Sequence, residues 1–372
     1  MEKRKKPRVI VSGGGTGGHI FPAISIANAI REIAPDAEIL FVGAEGRMEM
    51  ERVPAAGYKI VGLPVVGLQR RLTVKNLFFP FKLLRSLMKA KRIITDFKPD
   101  IAIGVGGYAS GPILKAAQRM NIPTLLQEQN SYAGLTNRLL AKKANAICVA
   151  YDGMEKYFPA NRIILTGNPV RQGLENTETK IDEAFEFFSI PKGNRVILVI
   201  GGSLGARTVN QSILANISAI TAESKVTLVW QTGKLYNNEV KSETAKVDAT
   251  NIRVYDFINR MDLAYAAANV IISRAGAGTI SELCLVGKPC ILVPSPNVTE
   301  DHQTKNALAL SQKNAAILIA DIDAMGTLVD SALALSSNNG KMLELSVNIQ
   351  KMALKNSAQV IAKKALELCG AV

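Results

Sequence analysis

Histidine is scarce in this sequence. Its 372 residues include two, His19 and His302, together with four cysteines, Cys148, Cys284, Cys290 and Cys369. No cysteine pair has C-x-x-C spacing and no spacing repeats, which argues against a zinc site or a disulfide framework. The cysteines read instead as small core residues, and a histidine-based metal centre is not expected. Tryptophan occurs once, and aromatic residues make up 5% of the chain. No run approaches the roughly 18 consecutive apolar residues of a spanning helix. The apolar run behind the basic start "MEKRKKPR" breaks at Gly13, too soon for a secretory h-region. A cytoplasmic protein of about two domains is the expectation.

Charge is lacking in one half only. The formal net charge is +14, yet residues 1–168 carry 25 Lys and Arg against 12 Asp and Glu, and the rest carries 20 against 19. A basic half beside a neutral one points to an acidic partner for the first domain: a membrane, a nucleic acid or a phosphorylated substrate.

Apolar, β-branched runs alternate with amphipathic helical stretches throughout, the pattern of α/β domains with parallel sheets. The strand candidates of the first half are "RVIVS", "EILFVG", "YKIVGL", "DIAIGVG", "TLLQE", "AICVA" and "RIILTG". The pattern is interrupted at "NPVRQGLENTETK", which places a hinge near Asn168 to Gln172. The second half restarts with "RVILVIGGSLGARTVNQSIL" and continues through "KVTLVWQTG", "IRVYDFI", "NVIISRAGAGTISEL", "KPCILVPSP" and "AAILIAD". The tail, "MLELSVNIQKMALKNSAQVIAKKALELC", reads as helix, with a last helix at about 350–370. Each half opens with strand, glycine turn and helix, so two Rossmann-like domains facing across a cleft are expected, 1–168 and 169–372.

In the first glycine loop, "SGGGTGGHIFP", Gly13, Gly15 and Gly18 have the G-x-G-x-x-G spacing of a dinucleotide site. Glycines there let the backbone approach a ligand, and the following helix offers unpaired N–H groups and a positive dipole end to phosphate. Pro22 suits a first helical turn. A nicotinamide site also asks for an acid about 20 residues on, at the end of the second strand. Asp36 precedes "EILFVG", and Glu45 follows it but lies 27 residues past Gly18. No Lys-Ser or Lys-Thr follows the glycines, which excludes a P-loop.

In the third loop, "SRAGAGTISEL", Thr279 and Glu282 have capping-box spacing. A carboxylate at a helix start facing a cleft would equally suit ribose hydroxyls, and spacing leaves both roles open. The "DID" at Asp321 to Asp323 resembles a D-x-D metal motif, but its place between a strand and a helix near Ala324 favours a helix cap.

From Arg70 to Thr95 there are eight basic residues and no acid. Phe78, Phe79 and Phe81 cluster around Pro80, and Leu83, Leu84, Leu87 and Met88 alternate with Lys82, Arg85, Lys89 and Lys91. The stretch fits an amphipathic element on an anionic membrane. An ordinary helix packed on its own domain is the plain alternative. RNA binding fits less well, because the phenylalanines are not spaced as a stacking platform.

Taken together, "GGGTGGHIFP", "GVGGYASGP", "QEQNSYAGLTNR", "TGNPVR", "GGSLGA", "DFI", "SRAGAGTISEL" and "EDHQTKNA", in unbroken order from about Val9 to Ala307, resemble one family. It is that of the undecaprenyldiphospho-muramoylpentapeptide β-N-acetylglucosaminyltransferases of peptidoglycan synthesis. The resemblance implies a glycosyltransferase-B fold, with a C-terminal domain for UDP-N-acetylglucosamine and an N-terminal domain for lipid I, its C-terminal helix packing back on the N-terminal domain. It implies inverting transfer to the muramoyl 4-hydroxyl, giving lipid II for cell-wall synthesis, and hence cell shape and division, with no cofactor and no essential metal. The implied partners are the two substrates, the anionic inner-membrane surface, where the protein would sit peripherally on the cytoplasmic side, and other cell-wall synthesis proteins, but no nucleic acid.

Carried over by the motifs, the donor contacts would be Thr16, Gly17 and Gly18, then Asn130, Arg171 and Ser203, with Ile258 reading the uracil through its backbone. Ala277, Gly278 and Thr279 would follow, with Glu282 on the ribose and Gln303 on the sugar. Gly278 stands where some members carry a larger apolar residue, and His302 where some carry Gln. Phe78, Phe79, Phe81, Lys82 and Arg85 would dock beside the lipid substrate. His19 and Glu128 are the candidate general bases, and His19 is equally a candidate for binding the acceptor's pyrophosphate. The rival readings are a diacylglycerol glycosyltransferase, an NAD-linked oxidoreductase and a non-catalytic membrane or RNA adaptor.

Overall fold

The computed structural model describes residues 6–65, 79–170, 173–174, 176–202, 204–298 and 301–372, with side chains in the second segment described from 82 onward. Every apolar run singled out above forms a strand. The first seven are β1 (Arg8–Gly13), β2 (Glu38–Ala44), β3 (Lys59–Leu63), β4 (Ile101–Gly106), β5 (Thr124–Glu128), β6 (Ala146–Val149) and β7 (Ile163–Leu165). They make a parallel sheet in the order β3-β2-β1-β4-β5-β6-β7. The other six are β8 (Arg195–Ile200), β9 (Val226–Gln231), β10 (Ile252–Tyr255), β11 (Val270–Ser273), β12 (Cys290–Leu292) and β13 (Ile317–Leu318), in the parallel order β10-β9-β8-β11-β12-β13.

These runs are continuously apolar because helices cover both faces of a parallel sheet. β1, β4, β8 and β9 accordingly bury nearly every residue. Each chain half starts in the middle of its sheet, winds to one edge, then returns to wind the other way. That reversal parts the connections at the carboxyl ends of β1 and β4, and again at β8 and β11, the place where ligands bind in such sheets.

The chain divides into two compact units, Met1–Arg171 with Leu354–Val372, and Gln172–Ala353. The tail therefore departs from the expected extent of the second domain, 169–372. The helix Ser357–Leu368 belongs to the first unit, where Ile361, Ala362, Ala365 and Leu366 join the core of Val9, Val11, Ile26 and Ile30. Burying Ile361 and Leu366 alone contributes about 3–6 kcal/mol, reason enough for the chain to return.

Two local expectations need correction. The tail is two helices, Asn339–Gln350 and Ser357–Leu368, parted at Asn356, whose φ is +56°. Pro22 is the sixth residue of the helix Gly17–Ile33, not a first-turn residue. It has no N–H to offer the Gly18 carbonyl, so the helix head is less tied than its continuation.

Candidate active site

In the first unit, β1 runs into the glycine loop and the helix Gly17–Ile33, whose N-cap is Thr16. The N–H groups of His19 and Ile20 both return to the Thr16 carbonyl. Those of Gly17 and Gly18 precede the first such bond, at the positive end of the helix dipole. The half-buried His19 ring points Nδ1 at the Gly14 carbonyl, 3.1 Å away, with Thr16 Oγ1 at 3.3 Å. A carbonyl can only accept, so Nδ1 carries the proton in this bond, and in the neutral ring the lone pair is then on Nε2. The ring lies over Gly106 at the end of β4, where an added Cβ would come within 2.8 Å of Nε2. Gly107, at φ +88°, lets the two loops cross; a Cβ there would stand 2.3 Å from the Gly14 oxygen.

Of the two acids considered for a dinucleotide site, Asp36 is exposed ahead of β2 and Glu45 follows that strand. Glu45 pairs with Lys89 at 2.7 Å. The acid that reaches the loop is Glu49, buried completely, with Oε2 accepting from Gly15 N at 3.0 Å and Oε1 from Ala44 N at 2.9 Å. Sequence reasoning missed it, since no spacing rule marks an acid five residues past a strand.

Glu128 ends β5 and is buried. Its Oε1 accepts from Asn130 N at 3.1 Å and Asn130 Nδ2 at 3.4 Å, and its Oε2 from Gly134 N at 3.0 Å and Asn137 Nδ2 at 2.9 Å. Burial pushes its carboxyl up, while these donors pull it down. The structure thus joins Glu128 to Asn130, as anchor and anchored within one loop. Beside it, Gln127 Nε2 donates to Asn168 Oδ1 at 2.9 Å, and Asn168 Nδ2 donates to the Gln129 carbonyl at 3.0 Å. This buried network ties "QEQN" to "GNP".

In the second unit, the helix Ala277–Val286 starts behind the N-cap Gly276, and Ile280 N makes its first backbone bond, to the Gly276 carbonyl at 2.9 Å. The amides of Gly278 and Thr279 lie ahead of that bond, so the helix head is suited to an anion. Thr279 is inside the helix and Glu282 is its sixth residue, which removes the capping-box reading. Glu282 is buried and accepts from Tyr265 OH. At Gly278 an added Cβ would meet nothing within 4 Å, so a larger residue has room.

Ile258 is buried and its N–H donates to Gln231 Oε1 at 2.9 Å. The Ile258 N–H is thus taken up by the protein's own side chain, which narrows the backbone contact expected there to the carbonyl. Gln303, in the first turn of the helix His302–Ser311, accepts from Ser295 N at 2.9 Å, which orients its carboxamide. Asp323 of the "DID" holds the N-cap position of the helix Ala324–Ser337, as expected, though its side chain makes no cap bond, while Asp321 pairs with Arg274 and accepts from Thr208 Oγ1 at 2.9 Å. Arg274 also donates to the carbonyls of Val293 and Pro294, tying the loop after β11 to the one after β12. Among the described residues no cluster of three or more His, Cys, Asp or Glu is placed to hold a metal.

Arg171, Ser203 and Phe78 lie outside the described residues, as do the side chains of Phe79 and Phe81. The basic stretch enters the helix Phe79–Phe97. Ser86, Ala90, Ile93 and Ile94 are buried, whereas Leu84 and Met88 are 57% and 60% exposed and Lys82 and Arg85 are exposed. The packed-helix alternative therefore holds for the face of Ser86, Ala90, Ile93 and Ile94, while Leu84 and Met88 lie off that face. No helix among the described residues is long and apolar enough to cross a membrane.

The models of the glycosyltransferase family 28 N-terminal and C-terminal domains match residues 9–149 and 196–364. The UDP-N-acetylglucosamine–N-acetylmuramyl-(pentapeptide) pyrophosphoryl-undecaprenol N-acetylglucosamine transferase of Bacteroides fragilis is 58% identical over 362 residues, 97% of this chain and 95% of the relative. The enzyme of the same name from Cytophaga hutchinsonii is 53% identical over 368 residues, 99% and 98% of the two chains. Among solved structures, MurG of Acinetobacter baumannii superposes with a TM-score of 0.79 at 28% identity, covering 97% of this chain and 99% of that one. The Neisseria meningitidis UDP-GlcNAc 2-epimerase, at a TM-score of 0.67 and 15% identity, shares the fold. The chain belongs to glycosyltransferase family 28 and, within it, to the family of the UDP-N-acetylglucosamine–N-acetylmuramyl-(pentapeptide) pyrophosphoryl-undecaprenol N-acetylglucosamine transferases.

Proposed function

We propose that this protein transfers N-acetylglucosamine from UDP-N-acetylglucosamine to the muramoyl 4-hydroxyl of lipid I, with inversion, giving lipid II for peptidoglycan synthesis. The observation that carries the reading is the match, at 58% identity over 97% of the chain, to a transferase named for these substrates. The transfer forms a bond from the acceptor oxygen to the anomeric carbon as the bond to UDP breaks. The hydroxyl proton passes to a base, and negative charge grows on the departing diphosphate.

The helix head at Gly278 and Thr279 supports that diphosphate, and the first unit offers backbone donors of the same kind at Gly17 and Gly18. Preorganised N–H groups of this kind are worth about 3–4 kcal/mol each in other enzymes. His19 Nε2 is the proton acceptor. Glu128, whose two oxygens are occupied by Asn130, Gly134 and Asn137, holds the acceptor-side loop instead. Glu282 engages the ribose, Ile258 the uracil and Gln303 the sugar, with Arg171 and Ser203 completing the donor contacts. The first unit, 1–171 with the returning tail, takes lipid I, and 172–353 takes the donor.

The exposed Leu84 and Met88 beside Lys82 and Arg85 support peripheral docking on the anionic cytoplasmic face of the inner membrane. A large apolar side chain contributes about 1.5–3 kcal/mol when buried and each basic group about 1 kcal/mol. Cell shape, division and contacts with other cell-wall synthesis proteins follow from that place. The test offers the purified protein UDP-N-acetylglucosamine with a lipid I analogue and a diacylglycerol together. A disaccharide on the lipid I analogue is expected, and glycosylation of the diacylglycerol instead would replace this reading with its nearest rival.

A further inference from the structure

The Gly14 carbonyl and the Gly15 N–H belong to one planar peptide group and point to opposite sides of it. His19 Nδ1 meets the carbonyl end at 3.1 Å. Glu49 Oε2 meets the N–H end at 3.0 Å. Carboxylate, peptide and imidazole thus form one chain of hydrogen bonds. We propose that Glu49 is a positioning residue for the transfer, holding the Gly14–Gly15 peptide so that its carbonyl keeps the His19 ring in the Nδ1-protonated form, with Nε2 free of that proton.

The slot is built for a carboxylate. Glu49 is fully buried between two glycines: a Cβ on Gly14 would come within 2.1 Å of Oε1, and one on Gly43 within 2.6 Å of Cγ. Its second oxygen is fixed by Ala44 N at the end of β2, so the loop is braced against the sheet. A carboxylate accepts at both oxygens and has no donor to offer, as two facing amides require. It also polarises the peptide, since hydrogen bonds in series strengthen one another. A side effect decides what the loop is for. The Gly15 amide, which a dinucleotide-binding loop would present to pyrophosphate, is taken up by the protein's own anion. The acid missing from the nicotinamide pattern is present, but turned onto the backbone.

This inference rests on the reading of His19 as proton acceptor, and its test separates the two. With two histidines in the chain, nitrogen NMR resolves the His19 tautomer directly at about pH 8, where a free imidazole is neutral. Wild type is expected to show the proton on Nδ1. E49Q sets an amide NH2 against one of the two backbone donors and is expected to show a mixed tautomer. Its kcat with a lipid I analogue should fall at least about tenfold, a loss in keeping with misplacement near the reacting atoms. Placed on H19A, E49Q should cost less than about threefold more, because both act through one ring.

If E49Q does not fold, G14A displaces the same carboxylate with Glu49 still present, and the same tautomer and kcat changes are expected. An Nδ1 tautomer and a kcat both unchanged in the folded variant would overturn the proposal, as would full multiplicative losses in the double variant. If wild type transfers no sugar, the functional reading falls while the NMR result still decides the hydrogen-bond chain.

Discussion

The Tyr265 hydroxyl donates to Glu282 Oε2 at 2.8 Å, joining two helices of the second unit, Met261–Ala267 and Ala277–Val286, through one buried bond. The bond fixes one oxygen of the carboxylate proposed to hold the ribose. Such a bond to a charged group is worth about 1.5–3 kcal/mol. Tyr265→Phe should raise KM for UDP-N-acetylglucosamine about threefold to tenfold and leave kcat within about twofold, the signature of lost uniform binding. Steady-state kinetics at saturating acceptor check it; a fall in kcat with KM unchanged would place Glu282 elsewhere in the reaction.

On the helix Phe79–Phe97, the exposed Leu84 and Met88 stand apart from the packed Ala90, Ile93 and Ile94. Replacing both by Ser removes apolar surface without touching that core. Vesicle sedimentation should show affinity for anionic vesicles falling at least about tenfold, since each side chain contributes up to roughly 1.5–3 kcal/mol. Turnover of a soluble acceptor should stay within about twofold. Unchanged vesicle binding would remove this face from the docking surface.

Burial pushes the thiols of Cys148 and Cys284 up to about 12 and raises that of Cys290, whereas Cys369 is half-buried at the end of the last helix. Only thiolates react readily. A thiol reagent at neutral pH should therefore modify one cysteine, Cys369, quickly and the other three only after denaturation. Rapid labelling of all four in the folded protein would contradict the packing described.

The net effect of burial on Glu128 is to raise its carboxyl above the ordinary value. The folded chain then binds that proton more tightly than the unfolded one. The stability this gives is complete below the unfolded value and is lost as pH rises through the folded value. Glu128→Gln lacks the term. The melting temperature of wild type minus that of the variant should shrink between about pH 4 and pH 8; a gap that widens instead would mean the hydrogen bonds to Glu128 outweigh its desolvation.

The strands were legible because a parallel sheet buried on both faces leaves unbroken apolar runs, such as "RVILVI" and "DIAIGVG". The glycine loops were legible because the crossing at Gly107 and Gly14 admits no side chain. What escaped the sequence were pairings between distant residues. Glu49 with Gly15, Tyr265 with Glu282 and Asp321 with Arg274 join residues 17 to 47 positions apart, beyond the reach of any local spacing rule. The capping box failed for a local reason. Thr279 and Glu282 have the right interval, but the helix begins at Ala277, ahead of both. The return of the tail to the first unit was visible only through the family resemblance, since apolar periodicity at Ile361, Ala365 and Leu366 does not say which core it fills.

The central claim is tested most directly by the product of one reaction. The purified protein is incubated with labelled UDP-N-acetylglucosamine and a lipid I analogue in the presence of a metal chelator, and the linkage of the lipid product is determined. One labelled disaccharide lipid, joined β to the muramoyl 4-oxygen with release of UDP, is the expected result. Unchanged lipid I analogue, or sugar attached elsewhere or with the α configuration, would contradict the account.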